Sequence, residues 1–253
     1  MPYATSYDGV KIFYIAEGSG DEVIIFVHGL GESHETWKEQ IPFFKNLNFK
    51  VIALDLRGHG LSEIPKKKIE MEDFAEDVLA VLRNEGVEKA NFVGYSMGAL
   101  VVLETYKKNP SLFKKLVLEA FVPQYPPAQT EVLINMSMDE IASQVAEYAV
   151  WREAPKELKE DIYRIISRTN KEVYIESAEA ATSKAYDSVL YDIEQPTMLI
   201  YGQYDFICPP EIGEQVKEKI RNCKFVVFEN IGHMPHRENS EKFNTIVKEF
   251  LLE

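Results

Sequence analysis

Short, uninterrupted apolar runs alternate with amphipathic stretches along most of this chain. Runs that are apolar on both faces suit strands buried inside a parallel sheet. The stretches between them carry apolar residues three and four positions apart, as in Phe74–Leu82 and Phe243–Phe250, and this spacing is typical of helices. The alternation predicts an α/β fold, with helices on both faces of a mostly parallel central sheet. The predicted strands of that sheet are Val23–Val27, Val51–Leu54, Phe92–Val93, Leu116–Leu118, Met198–Ile200 and Phe225–Phe228.

Two segments depart from this alternation. Tyr3–Ser6 and Val10–Ala16 flank the turn signal Asp8-Gly9, which predicts a leading hairpin. Phe121–Glu194 contains no strand-like run, and about 70 residues are too many for a loop in a compact domain. We therefore expect a core domain made of residues 1–120 and 195–253. A helical cap, or lid, of residues 121–194 is expected to follow the sixth strand.

Composition limits the partners that this chain can have. At 253 residues and 45% apolar content, it can build one sizeable core. Its 28 Lys and Arg against 41 Asp and Glu give a net charge of −13, which argues against nucleic acid or an anionic membrane as a partner. No apolar run approaches the roughly 20 residues of a membrane span, and Met1-Pro2-Tyr3 begins no basic-then-apolar leader. We expect a cytoplasmic protein, monomer or homodimer, that acts on a small molecule.

Two further features bear on its environment. Cys208 and Cys223 are the only cysteines, and free thiols in a reducing compartment are preferred to a disulfide between them. The abundance of Glu and Lys hints at a heat-adapted source.

Gly94-Tyr95-Ser96-Met97-Gly98 carries the strongest chemical signal. It follows the apolar run Asn91–Val93 and opens a helix-like segment that stops before Pro110. A serine on a sharp strand-to-helix turn is the nucleophile elbow of serine hydrolases. The two glycines are expected because such a turn leaves no room for side chains beside the strained serine backbone.

A serine hydroxyl is a poor nucleophile at neutral pH and needs a base that a third group orients. Asp205 follows the strand Met198–Ile200, and His233 follows Phe225–Phe228. Parallel strands bring such groups to one edge of the sheet. The sequence thus predicts the catalytic triad Ser96, Asp205 and His233. His236 is the alternative base and Glu119, which ends another strand, is the alternative acid.

The tetrahedral intermediate also needs hydrogen-bond donors for its oxyanion. The backbone N–H of Met97, at the start of a helix, is one candidate donor. The other is expected in the loop His28-Gly29-Leu30-Gly31, with the N–H of Leu30 preferred. The Leu30 side chain is then free to line the acyl pocket. His28 itself is interpreted as structural.

Together these residues resemble the α/β-hydrolase superfamily, in its branch of small capped serine esterases. His28–Gly31 resembles the oxyanion loop of that family, and Gly94–Gly98 its elbow. Asp55–Ser62 resembles its Asp-x-Arg-Gly-x-Gly-x-Ser turn, which is normally structural. Gly202–Asp205 matches the acid turn, and Gly232-His233 the histidine turn. The resemblance covers about residues 23–119 and 196–250, and the cap has no motif that matches.

The resemblance implies a cofactor-independent carboxylesterase (EC 3.1.1 class) for short to medium acyl chains. Acyl-thioester hydrolysis, perhydrolysis of the haloperoxidase kind, lactone opening and C–C bond cleavage use the same triad and stay open. A ligand-binding signalling protein with slow turnover is the alternative from another class. No metal site is expected, because His233-x-x-His236 lacks a third ligand. The residues expected to bind substrate are Leu30, Tyr125, Leu133, Met136, Met138, Tyr148 and Trp151.

Overall fold

A computed structural model describes residues 2–253 and confirms the predicted α/β-hydrolase fold. Its eight-stranded sheet has the order β1-β2-β4-β3-β5-β6-β7-β8. The strands of the leading hairpin, β1 and β2, pair antiparallel, and β2 joins β4 antiparallel as well. All other pairs are parallel. The strands are β1 Tyr3–Thr5, β2 Lys11–Glu17, β3 Glu22–Val27, β4 Phe49–Leu54, β5 Ala90–Tyr95, β6 Phe113–Glu119, β7 Thr197–Gly202 and β8 Cys223–Phe228.

The strand order reverses direction beside β3, and this reversal positions the site. The chain runs from β3 outward to β4 and then returns to place β5 on the other side of β3. A crevice opens at such a switch point, outside the carboxyl ends of the strands. The loop after β3 and the turn after β5 therefore meet there, with the ends of β6, β7 and β8 further along the same edge.

Helices cover both faces of the sheet because its strands alternate their side chains. In β3, Ile25 and Val27 enter the core on one face, and Ile24 and Phe26 enter the core on the other. The helices are α1 Gln40–Asn46, α2 Met71–Asn84, α3 Met97–Lys108, α4 Thr130–Asn135, α5 Met138–Tyr148, α6 Lys156–Ile166, α7 Lys171–Thr182, α8 Asp187–Asp192, α9 Pro210–Lys217, α10 Pro235–Glu238 and α11 Ser240–Leu252.

The long segment between β6 and β7 is helical. Its five helices, α4 to α8, follow one another without a strand between Glu119 and Thr197. Both cysteines are free thiols, and Cys208 is buried. In the part of the chain that the structure describes, no helix is long and apolar enough to cross a membrane.

The turn after β4 ties the leading hairpin to the sheet through Arg57. This side chain is fully buried, and its guanidinium donates to both carboxylate oxygens of Asp77, at 2.9 and 2.7 Å. It also donates to Asp8 in the hairpin turn, at 2.9 Å, and to Ser6 at 3.2 Å. Burial lowers the pKa of Arg57, and its carboxylate partners raise it by more, so the group stays charged. These contacts fit the structural role that the turn has in the resembled family.

Candidate active site

Ser96 lies on a strained turn between β5 and α3. Its backbone has a φ of 53° and a ψ of −119°, a combination that residues other than glycine rarely adopt, and α3 begins at the next residue. The flanking glycines are required by close contacts. A Cβ at Gly94 would lie 2.6 Å from the carbonyl oxygen of Gly98, and a Cβ at Gly98 would lie 2.2 Å from the carbonyl oxygen of Val27. The turn therefore pushes the Ser96 side chain out of the sheet edge.

The structure brings the three side chains of the expected triad together. His233 Nε2 lies 3.0 Å from Ser96 Oγ, and His233 Nδ1 lies 2.8 Å from Asp205 Oδ2. With the proton on Nδ1, the imidazole donates to Asp205 and accepts from the Ser96 hydroxyl. The second oxygen of Asp205 accepts the backbone N–H groups of Ile207 and Cys208, at 2.9 and 2.8 Å. Both carboxylate oxygens are thus fixed, and so is the imidazole.

The two alternative residues form a separate pair. His236 Nδ1 lies 3.0 Å from Glu119 Oε1, and the His236 backbone N–H donates to the same oxygen at 2.9 Å. The other ring nitrogen of His236 lies 3.0 Å from the hydroxyl of Thr36. All three side chains are fully buried. Neither His236 nor Glu119 therefore reaches Ser96.

The surroundings of His233 and His236 shift their basicities in opposite directions. Burial lowers the pKa of His233, but the charge and hydrogen bond of Asp205 raise it by more and leave it well above its usual value. Burial lowers the pKa of His236 to about 3. In its neutral form His233 is therefore the stronger base of the two, whereas His236 is a weak base and stays neutral.

The expected oxyanion donors lie beside Ser96. Leu30 and Met97 line the same cavity as the serine, and among residues 2–253 no protein acceptor takes the backbone N–H of either one. His28 holds the loop after β3: its Nδ1 lies 2.8 Å from the Gly29 carbonyl, and its Nε2 accepts the Leu56 N–H at 3.0 Å. The loop is therefore fixed while its Leu30 N–H stays free.

A cavity of about 270 Å³ opens above Ser96, between the sheet edge and helices α5 to α7. Its walls are mainly apolar, and its volume lies near the lower end of those typical for ligand pockets. Of the residues expected to bind substrate, Leu30, Tyr125 and Leu133 line it. The complete lining is Leu30, Glu32, Tyr95, Ser96, Met97, Tyr125, Ala128, Gln129, Leu133, Val145, Ala149, Ile166, Tyr174, Ala178, Ala181, Thr182, Ile207, His233 and Met234.

Four of the expected substrate-binding residues lie outside this lining. Tyr148 is 75% exposed, and the Trp151 ring stacks on Tyr204 with centroids 4.0 Å apart. Met136 and Met138 pack against the apolar core beneath the helices. The sequence did not predict these positions because a large apolar side chain in a helical insertion can pack against neighbouring helices, against the core domain or against the cavity.

One face of α7 lines the cavity, although none of its residues was among those expected to bind substrate. Tyr174, Ala178 and Ala181 lie four and three residues apart and line the cavity together. This helical spacing is visible in the sequence, but alanines at such a spacing are equally typical of a packed core. The position of Glu32 in the cavity wall was not predicted either, because a charged residue next to a glycine-rich turn is usually exposed to solvent.

Asp205, Cys208 and His233 are the one group of three potential metal ligands within residues 2–253, with ligand atoms inside 4.8 Å of one another. The first and last of these are hydrogen-bonded to each other, and Cys208 Sγ lies 3.2 Å from the Tyr125 hydroxyl. Burial raises the pKa of the Cys208 thiol, which disfavours the thiolate that a metal would require. The group thus fits a hydrogen-bonded triad better than a metal centre.

Comparison with known protein families gives two matches. Residues 22–150, just over half of the chain, match the model described as alpha/beta hydrolase fold. Residues 175–253 match the model described as TAP-like protein. The first match covers β3 to the end of α5, and includes the elbow serine and the loop after β3.

Individual relatives cover almost the whole chain. The bifunctional esterase/perhydrolase DCH of Acinetobacter calcoaceticus is 27% identical over 99% of this chain and 98% of its own length. The 2-hydroxy-6-oxononadienedioate/2-hydroxy-6-oxononatrienedioate hydrolase of a Pseudomonas species is 25% identical over 92% of this chain and 89% of its own. Among solved structures, the esterase EaEST of Exiguobacterium antarcticum superposes with a TM-score of 0.93, at 22% identity and 99% coverage of both chains.

Proposed function

This chain belongs to the α/β-hydrolase fold family, and we propose that it is a serine hydrolase of carboxylic esters with short to medium acyl chains, of the EC 3.1.1 class. The observation that carries the proposal is the hydrogen-bonded series Ser96–His233–Asp205 at the floor of a mainly apolar cavity. Membership of the family favours hydrolysis or one of the reactions that use the same triad, such as perhydrolysis. The cavity is large enough to bind a small ester.

In the proposed first step, the Ser96 hydroxyl attacks the ester carbonyl carbon while His233 Nε2 takes its proton. Asp205 holds the imidazole and stabilises the imidazolium through the 2.8 Å hydrogen bond to Nδ1. The carbonyl oxygen becomes an oxyanion that the N–H groups of Leu30 and Met97 bind. Each donor is free of a protein acceptor and lies at the cavity wall.

In the second half of the cycle, the intermediate collapses and the C–O bond to the alcohol breaks. His233 gives its proton to the leaving alcohol, and Ser96 keeps the acyl group as an ester. A water molecule then attacks the carbonyl carbon of this acyl-enzyme, with His233 as the base. The bond to Ser96 Oγ breaks, His233 returns the proton to that oxygen, and the carboxylic acid leaves. Apart from water and the substrate, every group that the scheme uses comes from the chain itself, so the proposal includes no cofactor.

We assign residues 121–194 in this proposal as the cap that selects the acyl group. Support comes from the lining, since Val145 of α5, Ile166 of α6 and Ala178 of α7 all face the cavity above Ser96. The cavity volume of about 270 Å³ favours small substrates over long acyl chains.

The proposal is tested by steady-state hydrolysis of p-nitrophenyl esters of increasing acyl length, with acyl-CoA thioesters of the same acids alongside. We expect turnover that peaks at a short or medium chain and is absent in Ser96→Ala. Preference for the thioester would move the assignment to acyl-thioester hydrolysis. A single stoichiometric burst without steady turnover would favour a ligand-binding signalling protein instead.

A further inference from the structure

We infer that this cavity accepts acyl groups without charge and rejects acyl groups that end in a carboxylate, and that the buried carboxyl group of Glu32 strengthens this preference. The inference rests on the proposed function, because it names the substrate class of the same site. It is carried by the charges that line the cavity.

Glu32 is a buried carboxyl group in the cavity wall. It follows the Leu30-Gly31 turn after β3, is 2% exposed, and lines the same space as Ser96. Its two oxygens accept only long hydrogen bonds, from the Gly29 N–H at 3.3 Å and from the Thr36 hydroxyl at 3.3 Å. Both donors are neutral, so no ion pair compensates the carboxyl group.

Within residues 2–253, the one cavity-lining side chain that can carry a positive charge is His233, and its imidazole is already paired with Asp205. The lining contains no Lys or Arg among residues 2–253. Arg237 is a cation outside the lining: its guanidinium donates to the Thr36 hydroxyl at 3.5 Å and is paired with Asp161. His236 also lies behind Thr36, and its low pKa keeps it neutral.

A carboxylate on the acyl chain would therefore lose its water without gaining a partner. An ionised Glu32 would repel it across a medium of low dielectric constant. Burial raises the pKa of Glu32 and favours its neutral form, but the substrate charge would then lie in an apolar cavity with no unpaired counter-ion. In both protonation states of Glu32, moving a substrate carboxylate from water into the cavity is therefore unfavourable.

The test compares two esters that differ in one charge. Mono-p-nitrophenyl adipate carries a terminal carboxylate on a chain too long to cyclise readily onto its own ester, and its methyl ester has the same chain with that charge removed. We expect kcat/KM at pH 7.5 to be at least about 100-fold higher for the methyl ester, in line with the cost of an unpaired buried charge. Values within threefold of each other would overturn the inference.

Two substitutions test the cause. Glu32→Gln keeps an oxygen that can accept from the Gly29 N–H, places an amide NH2 beside the Thr36 hydroxyl oxygen and removes the charge, so the ratio of the two kcat/KM values should fall by about tenfold. Gln129→Lys places a cation at the exposed rim of the cavity, where the native side chain makes no hydrogen bond within the described residues. It should also lower the ratio, whereas the neutral control Gln129→Met should not. A ratio unchanged in both Glu32→Gln and Gln129→Lys overturns the role given to charge.

Binding measurements separate this inference from the proposed function. In Ser96→Ala the esters stay intact, and calorimetric titration gives a Kd for each of them. A Kd for the methyl ester at least tenfold lower than that for the adipate with its free carboxylate supports the inference even if the wild type turns over neither ester, a result that would overturn the proposed function alone. Equal Kd values overturn the inference and leave the proposed function untouched.

Discussion

The backbone N–H of His233 donates a hydrogen bond to the carbonyl oxygen of Ala149, 2.6 Å away. The residue proposed as catalytic base is thereby attached directly to the end of α5, which belongs to the helical insertion. Glu238 adds a second connection, because its carboxylate accepts the N–H groups of Gly232, Met234 and Trp151. The insertion and the histidine loop are thus held together by buried polar contacts.

Glu238→Ala should loosen the histidine loop. Three backbone N–H groups would lose their acceptor, and each unsatisfied buried donor costs about 1–3 kcal/mol. We expect a lower Tm and a fall in kcat of about tenfold or more, with ester kinetics and thermal unfolding as the measurements. The control is Glu241→Gln, at an exposed position in α11. If Glu238→Ala and Glu241→Gln both behave like the wild type, the loop does not depend on Glu238.

The pH dependence of ester hydrolysis follows from the state of His233, which must be neutral to accept the Ser96 proton. Since Asp205 raises the pKa of His233 by more than burial lowers it, the pKa lies above the ordinary value of about 6.5. We expect kcat/KM to rise with pH through a pKa above 6.5 and to be low at pH 5. A rate that is flat from pH 5 to 8 would contradict the assigned base.

Asp205→Asn isolates the cause of that pKa shift. Without the carboxylate charge, the imidazole loses the strongest influence that raises its pKa while burial still lowers it, so the pKa of His233 should fall below that of the wild type. NMR titration of the His233 ring protons measures this directly and needs no residual activity. An unchanged pKa would show that Asp205 does not control the histidine.

Arg57→Met tests whether the turn after β4 is structural. Removing the guanidinium leaves Asp77 buried without its partner, which costs about 3–5 kcal/mol in comparable sites. Urea unfolding should show this loss, while kcat/KM of the folded enzyme changes by less than about threefold. The control Arg83→Met removes an exposed arginine whose nearest carboxylate contact is 3.9 Å, and it should change stability by less than about 0.5 kcal/mol. Loss of activity without loss of stability would point to a catalytic role instead.

The fold was predictable because its signals are local. Apolar runs in the sequence indicate the strands. Because the carboxyl ends of parallel strands meet at one edge of the sheet, the sequence also predicts that Ser96, Asp205 and His233 lie there. The choice between His233 and His236 was harder, since both follow the last strand within a few residues. The distances settle which of them faces Ser96, because that depends on how the loop is folded.

The cavity was predicted less well than the sheet edge. Tyr125 and Leu133 were expected to line it and do, but Tyr148 and Trp151 lie elsewhere. In an insertion without a recognisable motif, the sequence shows the helical spacing of the apolar residues. It does not show which face of each helix lines the cavity. Glu32 shows the same limit, because the burial of a charged residue depends on neighbours such as Thr36 that only the folded chain supplies.

The central claim, that Ser96 is an activated nucleophile, is tested most directly by covalent trapping with a p-nitrophenyl alkylphosphonate. Such a reagent releases nitrophenolate when a nucleophile attacks phosphorus and remains bound to it. We predict release of about one equivalent per chain, an adduct that peptide mapping locates on Ser96, and neither event in Ser96→Ala. An adduct on another residue, or equal release from Ser96→Ala, would contradict the account.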